Sequence, residues 1–198
     1  MNPVRPLYPR LLGDAARNLP PIVAGLHEVT NTVTAHGTGT VRHGDSRLAR
    51  FVAWLLGFPA AGADRPLRVT IERDGDEEIL SRHYPDSTLR TRQAAAGAPG
   101  SGLLAERFGL LDLRLLLHAD GEGITFDLLD ARWLGLRLPG AVRPRLQARE
   151  SVAGGAYHFH VAIALPLIGR LIEYHGGLTV EGADPTLSAP LVVPFAMR

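Results

Sequence analysis

The residues that could carry chemistry are concentrated in one predicted strand near the C-terminal end of the chain, at residues 157–165. Side chains alternate between the two faces of a strand, so Tyr157 and Phe159 share one face while His158 and His160 share the other. Neither face carries a permanent charge, as expected of a strand with no side in bulk water. Such a strand could form one wall of a cavity that holds a ligand.

The spacing of His158 and His160 would also let them hold a metal ion, provided that a third ligand comes from another element. Cupin metal sites use a similar pair followed by a glutamate, but residues 161–165 here are apolar. His118, Glu106 or His175 would have to supply the missing ligand. We therefore predict that the two histidines line a cavity or make structural hydrogen bonds, with no metal and no cofactor. A metal-dependent enzyme remains an alternative.

Further side chains are candidates for the same cavity. Glu106 and Arg107 lie between apolar residues, so they are either polar groups in a pocket or an ordinary surface ion pair. Trp133 and Tyr174 could line a pocket wall, although single aromatic residues also occur in plain cores. The sequence identifies no catalytic nucleophile. The predicted ligand-binding set is Tyr157, His158, His160, Trp133, Tyr174, Glu106, Arg107 and His118.

Two segments with helical periodicity must be placed around these residues. Residues 1–28 predict a broken helical segment, because apolar residues recur at helical spacing and Pro20-Pro21 interrupts them. Residues 46–57 predict an inserted helix that begins after Asp45 or Ser46 and ends near Gly57. The apolar stripe of this inserted helix consists of Leu48, Phe51, Val52, Leu55 and Leu56.

The rest of the chain alternates between apolar and polar residues and contains tight turns. Residues 29–42 form a Thr-rich strand in which Gly37 and Gly39 mark a bulge or bend. Further strands are predicted at residues 66–72, 79–84, 88–93, 103–108, 111–119, 124–133, 145–152, 157–165, 168–175, 178–180 and 191–195.

Several of these strands are apolar on both faces, which an open one-sided sheet would not be. We therefore predict an all-β fold with one domain over residues 1–198. It is a closed or nearly closed antiparallel barrel of about eight to ten strands, with the N-terminal helices packed at its side or mouth. Residues 66–196 supply the barrel strands in this prediction.

Composition narrows the classes of function. The net charge is +1 and aromatic residues are few, so nothing indicates a nucleic-acid partner. There is no cysteine, which excludes disulfides, thiolate catalysis and zinc–thiolate sites. No apolar run reaches transmembrane length and no signal peptide is evident, so we expect a cytoplasmic protein without membrane insertion.

Five short runs, taken in order, resemble the bacterial domain-of-unknown-function family 4166. They are YPRLLG at residues 8–13, LGFP at 56–59, ERFG at 106–109, LGLRLP at 134–139 and LPLIG at 165–169. The resemblance implies no activity. It does imply a relation to proteins that stand alone or are joined to saccharopine-dehydrogenase-like reductases, and therefore a reductase as one candidate partner.

The leading functional hypothesis is that a hydrophobic small molecule binds in the barrel cavity. The barrel could fold a flexible polyketide or polyene into a reactive shape, as a non-covalent cyclase or isomerase of bacterial natural-product biosynthesis. Whether the chain is an enzyme is left open by the residues. One alternative is a non-catalytic interaction module that docks on a reductase or forms a homodimer. The other is the histidine-based metal enzyme.

Overall fold

A computed structural model describes residues 5–181 of the chain. The helices in this range are α1 (Leu7–Leu12), a 3₁₀ helix (Gly13–Asn18), α2 (Pro21–His27) and α3 (Arg47–Leu55). The strands are β1 (Thr32–His43), β2 (Gly62–Asp74), β3 (Glu77–Tyr84), β4 (Ser87–Ala95), β5 (Leu103–Phe108), β6 (Leu111–Asp120), β7 (Gly123–Trp133), β8 (Leu136–Arg137), β9 (Arg145–Ala153), β10 (Ala156–Leu165) and β11 (Gly169–Val180). The strand predicted at residues 191–195 lies outside the described residues.

The strands form a closed antiparallel barrel, as predicted. From β1 to β7 each strand pairs with the next, β7 pairs with β9, and the order continues through β10 and β11 back to β1. The two-residue β8 only extends β7, so ten strands make the ring. Closure gives every strand of the ring a paired neighbour on both sides, although β7 and β9 pair only between residues 123–126 and 148–151.

β1 contains a glycine-rich irregularity. Its pairing register with β2 shifts between Gly39 and Val41, which confirms the bulge or bend predicted in this strand.

Glycines also allow the close approach of β1 and β11, the first and the last strands of the barrel in sequence. β11 runs without a break through Gly176 and Gly177, where the sequence pattern predicts two strands. That prediction is wrong because these glycines serve close packing of strands rather than a turn: a Cβ at Gly176 would lie 2.0 Å from the carbonyl oxygen of Thr38.

The N-terminal helices close one end of the barrel, which we call the closed end. Their apolar side chains, among them Leu11 and Val23, are fully buried in the main core. The helices are also tied to the β4–β5 loop, because the Gly102 amide donates to the Leu11 carbonyl at 2.8 Å. Packing apolar helix faces over the barrel opening removes them from water and seals this end.

A buried carboxylate anchors α1. Oε1 of Glu78, on the inner face of β3, accepts a hydrogen bond of 2.9 Å from the backbone amide of Leu7. Its Oε2 is buried with no hydrogen-bond partner among the described residues. Burial raises the pKa of Glu78, although the Leu7 amide and the nearby His27 partly oppose the shift.

Replacing Glu78 with glutamine is expected to change how stability depends on pH. The folded-state pKa lies above the unfolded value, so the stabilisation from the protonated carboxyl is present at low pH and lost as pH rises through the folded pKa. Glu78→Gln should therefore match the wild type near pH 4 and be more stable at pH 7, in urea titrations at both pH values. Glu77→Gln, at a more exposed neighbour paired with Arg92, is the control. A Glu78→Gln protein less stable at pH 7 would contradict the prediction.

Helix α3 begins where predicted but buries a different face. The Ser46 hydroxyl accepts a hydrogen bond of 3.0 Å from the Ala49 amide, which caps the helix. Ala49 and Ala53 are the buried residues and pack on Leu171 of β11. Of the predicted apolar stripe, Leu48, Phe51 and Leu55 are exposed, whereas Val52 and Leu56 are partly buried. The stripe prediction was wrong in part because the small alanines give the closest approach to the barrel wall.

The end opposite the N-terminal helices is open, and we call it the mouth. It is formed by α3, the β3–β4, β5–β6 and β10–β11 turns, and the segment that links β7 to β9. Within the described residues, no helix has the length and hydropathy needed to span a membrane.

Candidate functional site

The barrel encloses a cavity of about 340 Å³ that reaches the mouth. Its volume lies within the range of small-molecule sites, about 300–1,000 Å³. Most of its lining is apolar, with side chains from nearly every barrel strand and from α3. Representative wall residues are Leu67, Leu89, Leu113, Leu128, Leu146 and Val161.

The strand with the two histidines supplies part of this wall through its other face. Tyr157, Phe159 and Val161 of β10 line the cavity. His158 and His160 alternate with them and therefore point to the outer surface of the barrel. The inner face carries the bulky side chains because these fill the wide interior of a ten-stranded barrel, where small side chains would leave a larger void.

The other predicted site residues divide in the same way. Trp133, Tyr174 and Glu106 line the cavity with Tyr157. Arg107 lies on the outside, where its Nε is 2.7 Å from an oxygen of Asp112. His118 is also outside, with its Nε2 3.1 Å from Asp127. The structure therefore brings four of the eight predicted residues together and leaves four on the outer wall.

The outer-surface histidines form a local polar cluster. His160 Nε2 lies 3.1 Å from Oε1 of Glu173, and its ring centroid is 6.3 Å from that of His175. The His160 hydrogen bond, followed by Arg170, holds the pKa of Glu173 below its usual range. In residues 5–181, no three His, Cys, Asp or Glu side chains are grouped closely enough to hold a metal ion.

A connected polar group lies at the bottom of the cavity, next to the closed end. His27 of α2 is 2 % exposed, and its Nε2 lies 2.5 Å from Oε2 of Glu150 on β9. The ring of Tyr8 stacks on His27 with centroids 3.7 Å apart. The Tyr8 hydroxyl donates to Gln93 Oε1 over 3.3 Å. The helices thus contribute two of the polar groups that the cavity contains.

Four tyrosines place neutral hydroxyl groups around the interior. Burial raises the pKa of Tyr8 and Tyr157, and the charge of Glu150 raises both further. Burial also raises the pKa of Tyr174 and raises that of Tyr84 to about 12, with Tyr174 adding to the latter shift. These phenols therefore stay protonated at neutral pH. The Tyr8 hydroxyl already donates to Gln93 and that of Tyr157 to Glu150, so within the described residues Tyr174 is the cavity-lining tyrosine that is available as a donor.

Arg82 is the unusual residue of this interior. It lies on the inner face of β3, paired across the sheet with Val69 and Leu89, and it lines the cavity. Burial alone would lower its pKa, but the surrounding Tyr174 and Glu106 more than offset this and leave the pKa raised. No carboxylate of the described residues lies within 4.0 Å of its guanidinium group.

Two buried polar atoms of the cavity lining also lack protein partners among the described residues: Nδ1 of His27 and the hydroxyl oxygen of Thr91. Both residues line the cavity. Groups removed from bulk water without hydrogen bonds cost free energy, so sites with several of them are suited to a ligand or ordered water that supplies the missing partner.

The sequence pattern missed several of these side chains. Arg82 and Glu150 could have been found, because each interrupts the apolar face of its strand: Leu80 and Tyr84 flank Arg82 on one face. Tyr8 and His27 gave no such signal, since they lie in short helices and enter the cavity only through the packing of those helices on the barrel.

Large exposed apolar side chains are confined to one half of the molecule. Of the eleven in the described residues, ten surround the mouth, and the remaining one, Leu129, is on the outer wall of β7. We call these ten residues the mouth rim: Leu48, Phe51, Trp54, Leu55, Leu110, Trp133, Leu134, Leu136, Val142 and Leu167. Leu55, Trp133 and Val142 also line the cavity, so the apolar surface continues from the rim into the barrel.

Among the comparisons with known proteins, only the comparison with protein families gives a match. Searches of curated proteins and of solved structures find no significant match. Residues 19–178, which include most of the barrel, the cavity and the mouth rim, match the family described as "Domain of unknown function (DUF4166)". Since this match covers most of the sequence, the chain belongs to the DUF4166 family.

Proposed function

We propose that this protein binds a hydrophobic small molecule inside the barrel. The observation that carries the proposal is the open cavity of about 340 Å³, whose walls are apolar. Burying the apolar surface of a ligand there would stabilise the complex by about 25 cal/mol for each Å² removed from water. The few polar groups inside the barrel would fix the orientation of the ligand.

The polar groups favour a ligand with an electron-rich oxygen. Arg82 can donate several hydrogen bonds, and the protonated hydroxyl of Tyr174 can donate as well. An oxygen held by Arg82 would give this guanidinium the close acceptor that the described residues do not provide. We therefore expect the polar group of the ligand to lie near Arg82 while its apolar part lies against the leucine-rich walls of the cavity.

A second candidate function is cyclisation or isomerisation of the ligand without a covalent bond to the protein. It is favoured because Glu106, a proton acceptor, lines the same cavity as the donor Arg82. Glu106, whose charge acts on Arg82, could accept a proton from a carbon next to a ligand carbonyl while Arg82 donates to the enolate oxygen. The enolate could then attack a second carbonyl of the same folded ligand, and a tyrosine could protonate the new alkoxide. The proton held by Glu106 would restore the tyrosine, so the step balances without a cofactor.

Filling the cavity tests the binding proposal. Ala148 lines the cavity from β9, directly opposite Val161 of β10. We expect Ala148→Trp to weaken binding of the neutral apolar dye N-phenyl-1-naphthylamine about tenfold, measured by fluorescence titration, because the indole occupies the space of the dye. Native mass spectrometry of the gently purified wild type should in addition detect a co-purified small molecule that Ala148→Trp lacks.

The matched control is Ala162→Trp, which adds the same side chain on the outer face of β10. It should bind the dye as the wild type does. Equal weakening by the two substitutions, or dye binding unaffected by Ala148→Trp, would show that the dye does not occupy the barrel and would count against the proposal.

A further inference from the structure

We propose that the mouth rim docks this protein on the surface of an anionic lipid bilayer. The proposal concerns peripheral contact and does not rest on the identity, or the presence, of a ligand in the cavity. Its basis is the joint placement of exposed apolar side chains and an excess of arginines over acidic residues around one opening.

The apolar side chains of the rim are positioned at protruding tips. Trp54 is 72 % exposed on α3 and Leu167 is 82 % exposed in the β10–β11 turn. Phe51 lies beside Trp54, with ring centroids 5.9 Å apart. A soluble surface rarely gathers so many large apolar groups in one region unless that region binds something. Tryptophan and phenylalanine on a short helix are suited to the boundary between lipid head groups and acyl chains.

Charge distinguishes a lipid surface from an apolar protein partner. Residues 46–63, which include α3, carry Arg47 and Arg50 and no acidic residue. Residues 133–147 carry Arg137, Arg143 and Arg145 and no acidic residue, and of these three Arg137 is paired with Asp130 of β7. No ion pair within 4.0 Å is formed by Arg47 or Arg50 among the described residues. Arginines adjacent to exposed aromatic groups match the negative surface of an anionic bilayer.

The acidic residues near the mouth cancel only part of the positive charge there. Four of them are paired: Asp86 with Arg65, Asp112 with Arg107, Asp130 with Arg137, and Glu173 with Arg170. Asp45 and Asp64, at the two ends of the α3 segment, equal Arg47 and Arg50 in number, so the excess positive charge comes from Arg143 and Arg145, which form no ion pair within 4.0 Å among the described residues. A shallow pocket lined by Arg137 and Arg143 lies in the same segment. Arg137 is paired with Asp130, whereas Arg143 forms no ion pair among the described residues and could meet a phosphate head group.

The apolar surface of the mouth rim continues into the cavity, which links docking on a bilayer to binding inside the barrel. Leu55 and Trp133 belong to both surfaces, so no polar barrier separates the rim from the barrel interior along these residues. A protein docked in this orientation would present its cavity to the acyl chains, where hydrophobic small molecules are concentrated. The closed end, covered by the N-terminal helices, would face the solution.

Both tryptophans of the chain, Trp54 and Trp133, belong to the rim and report on docking directly. We expect the full-length wild type to float with vesicles of 70 % phosphatidylcholine and 30 % phosphatidylserine, and binding to fall with added salt. Its fluorescence should shift to shorter wavelength and be quenched by lipids brominated near the head of the acyl chain.

Two double variants separate the apolar and electrostatic contributions. Phe51→Ser with Trp54→Ser should lower the vesicle partition coefficient about tenfold, since two apolar anchors are lost. Arg47→Gln with Arg50→Gln should lower it by a similar factor for these anionic vesicles and leave binding to vesicles of phosphatidylcholine alone unchanged. Arg68→Gln with Arg90→Gln, at exposed positions on the barrel wall, is the charge-matched control and should bind normally.

Absence of binding to the anionic vesicles would overturn the proposal, and so would binding that the rim variants leave unchanged. Sedimentation that shows a dimer converted to a monomer by Phe51→Ser and Trp54→Ser, without vesicle binding, would assign the rim to a second copy of the chain instead. Ala148→Trp should still bind vesicles, so failure of the cavity proposal can be distinguished from failure of bilayer docking.

Discussion

Replacing Arg82 with methionine is expected to make the protein a much poorer binder of anions with little change in stability. The guanidinium group lies inside the barrel without a carboxylate within 4.0 Å among the described residues, but Tyr174 and Glu106 more than offset its desolvation and raise its pKa, so the charge is not a net cost to the fold. We expect the free energy of unfolding in urea to stay within about 1 kcal/mol of the wild type, because methionine loses both the desolvation cost and the attraction that offsets it.

The binding half of this prediction uses two dyes with the same ring system. 1-Anilinonaphthalene-8-sulfonate carries a sulfonate, whereas N-phenyl-1-naphthylamine is neutral. Arg82→Met should weaken binding of the sulfonate dye about tenfold to a hundredfold, which is the range for loss of a charge-assisted hydrogen bond, and leave the neutral dye nearly unaffected. Both affinities come from fluorescence titration.

Arg68→Met, on the exposed outer face of β2, is the control for this pair of measurements. It should change neither stability nor dye binding appreciably. A large loss of stability in Arg82→Met would mean that Arg82 supports the fold. An equal loss of both dyes would mean that it shapes the cavity rather than binding a negative group. Either result would contradict the prediction.

Replacing Gly176 with alanine is expected to cost about 2–4 kcal/mol of stability, because a backbone atom occupies the space its Cβ needs. That Cβ would lie 2.0 Å from the Thr38 carbonyl oxygen and 2.9 Å from both the Cα of Gly39 and the ring of Phe159. β1 and β11 would have to move apart, which weakens the pairing that closes the barrel. Urea unfolding measures the change.

The adjacent residue provides a strict control. A Cβ at Gly177 would lie no closer than 3.4 Å to any atom, which is ordinary van der Waals contact. Gly177→Ala should therefore stay within about 1 kcal/mol of the wild type. If the two substitutions were equally tolerated, the close approach of β1 and β11 at Gly176 would not be a requirement of the fold.

Much of the secondary structure could be predicted from local patterns. The alternation in residues 103–108 matches β5 residue for residue, and the turns at Asp74-Gly75 and Gly154-Gly155 both join paired strands. These predictions succeeded because alternation and turn residues act over a few residues. The prediction for α3 failed in part because the burial of a short amphipathic helix depends on what it packs against.

The candidate site was predicted less completely. The sequence named Tyr157, Tyr174, Glu106 and Trp133, all of which line the cavity, but it could not separate them from His158, His160, Arg107 and His118 on the outer wall. A strand that is uncharged on both faces gives no local indication of which face is inside. Arg82 and Glu150 were overlooked although apolar or aromatic residues flank each of them on its face: Leu80 and Tyr84 beside Arg82, Ala148 and Val152 beside Glu150.

The sequence by itself determined that the chain forms a β-barrel of short antiparallel strands with helices at the N-terminus, because period and turn chemistry are local properties. Only the tertiary structure decided which face of β10 points inward, because that depends on the closure of β1 against β11. The same closure brings Tyr8, His27, Gln93 and Glu150 together, although they lie far apart in the sequence. It also gathers the exposed apolar residues of several separate segments around a single mouth, which no local pattern could reveal.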